Sequence, residues 1–319
     1  MQAAREGEIW TRRRVATLVL AYLAGLGAMI LVKGVFLSAD RYFLILLVPA
    51  LALRTGRAYI RDFLPFILLV LVYEEARGVA HLLHPSPFYE PMLLLDRWIG
   101  LGEIPTVRLQ GVLWQGHLQW YDHALSLLDR LHFIVPPTLL LLIWLERRDV
   151  FYRCAATLVA VSFAGAVTFL AFPAAPPWLA SKHGHTPHVA RIGYIEGGNS
   201  PVGTSKSWIE SHILSNPVAA VPSLHAAYAL LVLLFAYAWR GRIGVWVAAP
   251  YTLGMWFTVV YLGDHYVVDI AIGAAYAAAG WVLVPRLFRS TPLRRLIGPF
   301  PSPLAEGDGK RSDVLRSVP

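Results

Sequence analysis

The chain is short of charge and of cysteine. Only 15% of its 319 residues are charged, whereas a soluble domain carries roughly 25%. The one cysteine, Cys154, excludes an internal disulfide and a cysteine-based redox motif. With a hydrophobic content of 56% and 11 tryptophans, this composition predicts a polytopic membrane protein.

Long apolar runs predict eight membrane segments. They cover residues 15–37, 41–53, 62–83, 123–145, 151–172, 221–239, 243–262 and 266–285. The second is shorter than the ~20 residues that a spanning helix needs, so we expect a hairpin arm or part of a longer helix there. The basic run Arg12–Arg14 leads into an apolar run long enough to remain as a helix, so no cleaved signal peptide is expected.

The basic residues predict the orientation. The formal net charge is +8, but the arginines concentrate in Arg12–Arg14, in 54–61, in 147–153 and in the C-terminal tail. This pattern follows the positive-inside rule, so we expect cytoplasmic termini in a cell-membrane protein and no nucleic-acid partner. The loop 173–220 then lies on the extracytoplasmic side, together with the two histidine motifs described below.

The predicted fold is an all-α polytopic membrane helix bundle. Residues 1–61 would hold one or two extra N-terminal helices and a cytoplasmic loop, and residues 62–286 the transmembrane core. The tail 287–319, rich in proline, glycine, serine and charge, is expected to be disordered. Residues 84–122 are too polar to span, so we expect one or two interfacial helices along the outer leaflet.

The first histidine motif begins the last apolar segment. His265 and Asp269 are four residues apart, which places them on one face of a helix, one turn from each other. A carboxylate at that distance can accept a ring N–H and fix the tautomer of the imidazole. An interfacial pair that only marks the start of the helix is the alternative, but ionisable groups at membrane depth are costly and usually functional.

The second histidine motif begins the sixth segment. Pro222 suits the first turn of a helix, Ser223 adds a hydroxyl, and His225 follows one turn in. Free N–H groups at a helix start make an anion site, and a Pro-Ser helix cap with an incidental histidine is the alternative. Two histidines and a carboxylate are sufficient for phosphoryl transfer, because one histidine attacks phosphorus, the carboxylate orients it, and the second histidine protonates the leaving oxygen.

The motifs resemble those of the type-2 phosphatidic acid phosphatase superfamily, and within it the inositol phosphorylceramide synthase branch. The similar stretches are Phe172–Trp178, Asn216–His225 and Tyr261–Asp269. They occur in the order that the family has, and the resemblance covers roughly residues 120–285.

The resemblance implies a six-helix core formed by the third to eighth segments, with a site that needs no metal or other cofactor. It implies that His265 is the nucleophile, Asp269 its partner and His225 the acid/base. Ser223 would contact the phosphate.

Two departures from the family pattern remove three cations that usually clamp the phosphate, and a third replaces a glycine. Phe172–Pro173 stands where the phosphatases have an Arg-Pro preceded by a lysine, Thr258–Val259 stands where they have Ser-Arg, and Leu224 replaces a glycine. Charge on the phosphate is a large electrostatic factor in such transfers. A weaker clamp therefore favours a diester donor, which carries one negative charge, over a monoester, which carries close to two.

Other residues are candidates for contact with the substrate. Cations could come from Lys182, Arg191, Lys206, Arg130 and His132. Each alone is more often an interfacial anchor, but as a set they predict at least one phosphate contact. Pro177 and Trp178 are expected to line a lipid entrance.

Three further patterns could suggest a metal site, a phosphate-binding loop and an ion pair within the membrane. The run His183–His188 has three imidazoles, but a loop broken by glycine and proline is a loose scaffold for a metal. The run Gly198–Ser207 has the wrong residue order for a phosphate-binding loop. Glu74 and Glu75, inside the third segment, are expected to pair with Arg77.

The sequence therefore predicts a membrane phosphotransferase that moves an inositol-phosphate-type head group from a phospholipid donor to a lipid alcohol acceptor. A lipid phosphatase acting on phosphatidic acid or polyprenyl (di)phosphate is the alternative, because it shares the first chemical step. A non-enzymatic lipid-binding protein or transporter is a third possibility, and an intact set of two histidines and an aspartate argues against it.

Overall fold

The structure is a computed structural model. It describes residues 17–22, 24–25, 45–48, 50–51, 56–83, 86–193 and 218–290, without the side chains of 78–83 and 288–290. The helices are α1 (Gly56–Leu83), α2 (Glu90–Ile99), α3 (Pro105–Leu113), α4 (Trp120–Arg130), α5 (Val135–Glu146), α6 (Arg148–Ala171), α7 (Pro177–Lys182), α8 (Leu224–Arg240), α9 (Arg242–Tyr261) and α10 (Val267–Ser290).

The predicted all-α bundle is confirmed. Throughout the described ranges the chain is helical or irregular, and its only β-type pairings are two isolated bridges that join Ala174 to Phe88 and to Ala219. Helices α6, α9 and Val267–Leu287 of α10 are long and apolar enough to cross a membrane. The third to eighth predicted segments coincide with helices, whereas the first two lie mostly outside the described residues.

The fourth predicted segment is not one straight helix. Helix α4 ends at Arg130, a 3-10 turn covers Leu131–Phe133, and α5 follows at an angle of 47°. The cause is Pro136–Pro137, because two prolines in succession supply no N–H groups to the carbonyls one turn earlier. The break places the last turn of α4 beside the start of α8.

Residues 84–122 contain two short helices, α2 and α3, in agreement with the prediction. Helix α2 turns Leu93 and Asp96 inward and exposes Leu94, Leu95 and Trp98. Such an exposed apolar face suits a membrane interface. The position of α2 along the outer leaflet stays a prediction.

A buried polar contact ties three helices together at the end of the bundle far from the histidine motifs. Asp62 of α1 accepts hydrogen bonds from the Trp144 indole of α5 (2.8 Å) and the Tyr152 hydroxyl of α6 (2.6 Å). Arg148 adds an ion pair at 3.6 Å. A buried carboxylate with partners from several elements specifies how they pack. Helix α10 extends to Ser290, and residues 291–319, most of the predicted tail, lie outside the described part.

Candidate active site

Two histidines from separate parts of the chain meet at one end of α8. His225 is the second residue of α8, and His265 lies two residues before α10. The Nδ1 atom of His225 is 3.2 Å from the Nε2 atom of His265. The structure therefore brings together the two histidines that the sequence proposed as acid/base and nucleophile.

The ring of His265 is held by acceptors at its other nitrogen. Its Nδ1 lies 3.1 Å from the carbonyl oxygen of Ala220 and 3.5 Å from Oδ2 of Asp269. A backbone carbonyl only accepts, so we infer that Nδ1 carries the proton. The lone pair is then on Nε2, the nitrogen that faces His225.

The contact between Asp269 and His265 has a different geometry from the one predicted. His265 precedes α10, so the two residues do not share a helical face. Asp269 instead caps the helix: its Oδ2 accepts the N–H of Tyr266 at 2.9 Å, and the same oxygen faces His265. The partial positive charge of a helix N-terminus favours a carboxylate there. Its Oδ1 is buried and has no hydrogen-bond partner among the described residues, and such groups are retained mainly at functional sites.

Pro222 and Ser223 form the start of α8 in a way that matches the predicted alternative of a helix cap. Pro222 precedes α8 rather than lying in its first turn, and Ser223 is the N-cap, whose hydroxyl accepts the Ala226 N–H at 3.2 Å. The Ser223 N–H donates to the backbone oxygen of Asp269 at 3.1 Å. Ser223 therefore joins the two motifs, and its contact with phosphate stays a prediction.

The departure at Leu224 is accommodated by a glycine on α6. A Cβ atom at Gly165 would lie 3.0 Å from a terminal methyl carbon of Leu224, closer than ordinary van der Waals contact. The leucine side chain fills the space beside Gly165, so α6 and α8 still pack closely.

His132 and Asp129 flank His225 from the α4–α5 break. The His132 ring lies 4.2 Å from that of His225 and stacks on Tyr228 with a centroid distance of 5.1 Å. Oδ1 of Asp129 lies 3.5 Å from Nε2 of His225. His132 was predicted as a candidate for contact with the substrate; Asp129 was not, because nothing in the local sequence shows which partner it meets.

A loop cluster next to His265 contains two other predicted residues. The Trp178 N–H donates to the carbonyl of Gly263 at 3.1 Å. The guanidinium of Arg191 lies 4.3 Å from the centre of the Trp178 ring, and its Nε donates to Asp264 at 3.3 Å. Trp178 and Arg191 thus contact the two residues before His265, and Asp264 offsets part of the Arg191 charge.

The other predicted substrate contacts differ in burial and in position. Pro177 is buried as the first residue of α7, and Lys182 is exposed at its last residue. Arg130 is half-buried next to Asp129 and, like Arg191, lies within electrostatic range of it. Whether any of these residues binds phosphate stays a prediction, and Lys206 lies outside the described residues.

A buried glutamine braces the turn that carries His265. Gln110 of α3 donates to the carbonyls of Ala190 (2.8 Å) and Tyr261 (2.7 Å) and accepts the Ala190 N–H (2.8 Å). Gly263 adopts φ +87°, and a Cβ there would lie 2.9 Å from the Ala190 oxygen. Only glycine combines that conformation with such a close approach. Sequence reasoning missed Gln110, since its partners are distant in the chain.

Arg77 of α1 is a cation near the site that the sequence analysis considered only as a partner for acidic neighbours. It lies within electrostatic range of His132 and His225. Tyr73, one turn earlier on the same helical face, forms a hydrogen bond with Tyr228, the residue that stacks on His132. Arg77 therefore adds positive charge near the two histidines.

The His183–His188 run does not form a cluster suited to a metal. His185 stacks on Tyr89 at 4.0 Å and lies 3.8 Å from Glu90. Within the described ranges no group of three or more His, Cys, Asp or Glu side chains is arranged to hold a metal ion. The Gly198–Ser207 run lies outside those ranges.

Comparison with known proteins decides the family. The model of the PAP2 superfamily matches residues 90–283, which is more than half of the chain and includes both histidine motifs. The chain belongs to the PAP2 superfamily. The predicted family resemblance is thereby confirmed, and with its apolar helices this superfamily member is an integral membrane protein.

Two curated relatives belong to the branch that the motifs resemble. The phosphoinositol dihydroceramide synthase of Bacteroides thetaiotaomicron is 32% identical over 143 residues, which are 43% of this chain and 46% of that protein. The inositol phosphorylceramide synthase of Candida albicans is 30% identical over 117 residues, 34% of this chain and 24% of that protein. The chain thus matches less than half the length of either relative. No solved structure matches it significantly.

Proposed function

We propose that this PAP2 superfamily member is a membrane phosphotransferase that moves an inositol-phosphate-type head group from a phospholipid to a lipid alcohol. The observation that carries the proposal is the position of His265. Its Nδ1 contacts the Ala220 carbonyl and Asp269, and its Nε2 faces His225 at 3.2 Å. The names of the two relatives support the choice of head group and acceptor.

The first step transfers the head group to the enzyme. Nε2 of His265 forms a bond to phosphorus, and the bond between phosphorus and the glyceride oxygen breaks. A proton from Nδ1 of His225 goes to that oxygen, so the diacylglycerol leaves as a neutral alcohol. Asp269 stabilises the positive charge that develops on His265.

The second step returns the enzyme to its starting state. The hydroxyl of the acceptor lipid gives its proton to Nδ1 of His225, and its oxygen bonds to phosphorus. The bond between phosphorus and Nε2 of His265 breaks at the same time. In-line displacement requires the entering and leaving groups on opposite sides of phosphorus, so the hydrogen bond between the two histidines opens when a phosphate enters.

The cations around the site favour a singly charged donor. Arg191 shares its charge with Asp264 at 3.3 Å, and Arg77 lies within electrostatic range of His132 and His225. We assign Arg77 and Arg191 to the phosphate, together with the N–H groups at the start of α8. This set is weaker than the arginine and lysine clamp of the phosphatases, and it suits a diester such as phosphatidylinositol.

The positive-inside pattern supports a site on the extracytoplasmic face, with both termini in the cytoplasm. Both histidines lie at one end of their helices, and the exposed apolar face of α2 is at the same end, since Asp96 of α2 contacts the start of α10. A lipid head group at that surface would reach His265 without crossing the bilayer.

The alternative is a lipid phosphatase, in which water takes the place of the acceptor alcohol. One observation favours it: the side chains of His225 and Asp129 are each 26% exposed, so water has a route to the acid/base. The catalytic residues are the same in both reactions, and only the identity of the acceptor separates them.

The test uses purified protein in detergent with head-group-labelled phosphatidylinositol, with and without ceramide or diacylglycerol. We expect a labelled lipid product that forms only with an acceptor. His265→Ala should abolish turnover, and the matched control His188→Ala, in an exposed loop, should keep it. Label released only as free inositol phosphate would favour the phosphatase. Normal turnover by His265→Ala would refute the mechanism.

A further inference from the structure

The acid/base histidine contacts a carboxylate of its own. His225 Nε2 lies 3.5 Å from Oδ1 of Asp129, and its Nδ1 lies 3.2 Å from His265. The two sides of the site are therefore similar, since His265 Nδ1 lies 3.5 Å from Oδ2 of Asp269. The PAP2 match explains the pair around His265, but the motifs do not account for Asp129.

A proton on each of its nitrogens fits the contacts of His225. An ionised Asp129 only accepts, so an N–H at Nε2 would point towards it at 3.5 Å. The facing nitrogen of His265 holds a lone pair, so Nδ1 of His225 donates across the 3.2 Å contact. An imidazole with two N–H groups is an imidazolium, which is the form that a general acid needs before the leaving group departs.

The fold holds Asp129 and the ring in place. Asp129 is in the last turn of α4, where the Pro136–Pro137 break ends the helix and turns the chain towards α8. His132, three residues on, packs its ring at 4.2 Å from that of His225. Rotation of the His225 ring is therefore limited from two directions, and Nε2 stays directed at the carboxylate.

We propose that Asp129 is a positioning residue that keeps His225 as the protonated general acid, so that two opposed histidine–carboxylate pairs divide the transfer between nucleophile and acid. The inference rests on the proposed function. In the first step the proton on Nδ1 of His225 goes to the leaving glyceride oxygen. The proton on Nε2 remains on the ring, beside Asp129. In the second step Nδ1 regains a proton from the acceptor hydroxyl.

The test compares two donors that differ in their need for an acid. One is phosphatidylinositol, whose alkoxide must be protonated to leave; the other is the p-nitrophenyl ester of inositol phosphate, whose phenolate leaves without a proton. Asp129→Asn should lower kcat for the lipid about 100-fold, the lower end of what a general acid supplies, and leave kcat for the nitrophenyl ester nearly unchanged. Asp129→Glu, which keeps a carboxylate, should restore part of the lipid activity.

Asp122→Asn is the matched control. Asp122 is another carboxylate of α4; it is fully buried and accepts from the Tyr261 hydroxyl (2.6 Å) and the Gln119 N–H (2.7 Å). This variant should lose stability yet keep the wild-type ratio of the two kcat values. Equal loss on both donors in Asp129→Asn would overturn the role of Asp129 while the phosphotransferase stands. Failure of the wild type on both donors would overturn the proposed function itself, and the inference with it.

A spectroscopic readout covers the case in which Asp129→Asn does not fold. In wild-type protein carrying 15N-labelled histidine, with the signal assigned by its loss in His225→Gln, both ring nitrogens of His225 should show bound protons. An unprotonated Nε2 in the wild type would overturn the proposal whatever the variants do.

Discussion

Gly273 of α10 lies directly against the backbone oxygen of Ser223, and a Cβ atom at position 273 would be 2.2 Å from that oxygen. This approach sets the first turn of α10 beside the start of α8. One turn earlier on α10, the Asp269 carbonyl accepts the Ser223 N–H at 3.1 Å. The distance between His225 and His265 therefore depends on the absence of a side chain at Gly273.

Gly273→Ala should separate the two helices and reduce turnover sharply, with a loss of stability of about 1–3 kcal/mol, as for overpacking in a core. Gly280→Ala is the matched control on the same helix, because its Cβ would meet the Val161 side chain of α6 rather than the backbone of α8, so it should lose stability without separating α8 from α10. Turnover and thermal unfolding of both variants in detergent provide the comparison. A Gly273→Ala protein with wild-type activity would contradict this account of how the helices meet.

The parts of the site that could be predicted from sequence are those that local patterns specify. His225, His265 and Asp269 stand in motifs with fixed spacing, and the structure brings them together. The break after α4 was missed, because residues 123–145 were predicted as one segment although Pro136–Pro137 interrupts the apolar run. The exact helix start was not, because the cap formed by Asp269 begins α10 two residues after His265.

Contacts between residues far apart in the chain could not be predicted. Gln110 reaches Tyr261 across 151 positions, and Asp129 reaches His225 across the bend between α4 and α5. No periodicity encodes such pairs, because each depends on how several helices pack. Arg77 illustrates the same limit: its acidic neighbours predicted a local pair, but nothing in the local sequence shows that it also lies within electrostatic range of His132 and His225.

Asp269→Asn tests whether the carboxylate acts through its charge. The amide oxygen of asparagine can still accept the Tyr266 N–H, so the helix cap and the fold should persist. The charge that stabilises a protonated or phosphorylated His265 is lost, and we expect kcat to fall by at least 100-fold. Circular dichroism confirms folding, and a quench of the labelled-lipid reaction measures trapped phosphoenzyme. Wild-type turnover would show that Asp269 is only a cap.

Arg77→Gln tests the assignment of Arg77 to the donor phosphate. A hydrogen bond to a charged group contributes about 1.5–3 kcal/mol, so KM for the anionic donor should rise by about 10-fold or more while kcat changes less. The KM of Arg77→Lys should lie between those of the wild type and Arg77→Gln, because lysine keeps the charge but not the forked donor geometry. The control is Arg108→Gln, which removes an exposed cation paired with Glu103 at 3.5 Å. A loss confined to kcat would assign Arg77 to another role.

Gln110→Leu tests how strictly the turn before His265 must be held. The substitution keeps the approximate volume but leaves the Ala190 N–H and the carbonyls of Ala190 and Tyr261 without this partner, at about 1–3 kcal/mol for each unsatisfied group. We expect a lower unfolding temperature and a turnover that declines with it. Gln115→Leu, at an exposed position, should change neither. Equal behaviour of the two variants would mean that Gln110 does not position the turn.

Asp96 gives the protein a pH-dependent stability. Its Oδ1 accepts the Val268 N–H at the start of α10 (3.0 Å). Burial raises the pKa of Asp96 to about 6, the Val268 and Val267 N–H groups oppose that rise, and the nearby Asp269 adds to it. The folded protein therefore holds this proton at a pH where the unfolded chain, with a pKa of about 3.9, has released it.

The direction of the pH dependence follows from the linkage between proton binding and unfolding. Between about pH 4 and pH 6 the unfolded state binds fewer protons at this group, so stability falls as the pH rises and is level above pH 6. Two pKa units correspond to at most about 3 kcal/mol. Asp96→Asn keeps an oxygen for the Val268 N–H and removes the charge, so its unfolding temperature should fall less between pH 4 and pH 7 than that of the wild type. Asp149→Asn, which removes a half-exposed carboxylate paired with Arg147, is the control and should keep the wild-type slope. An unchanged slope in Asp96→Asn would mean that the buried carboxyl of α2 is not the group that titrates.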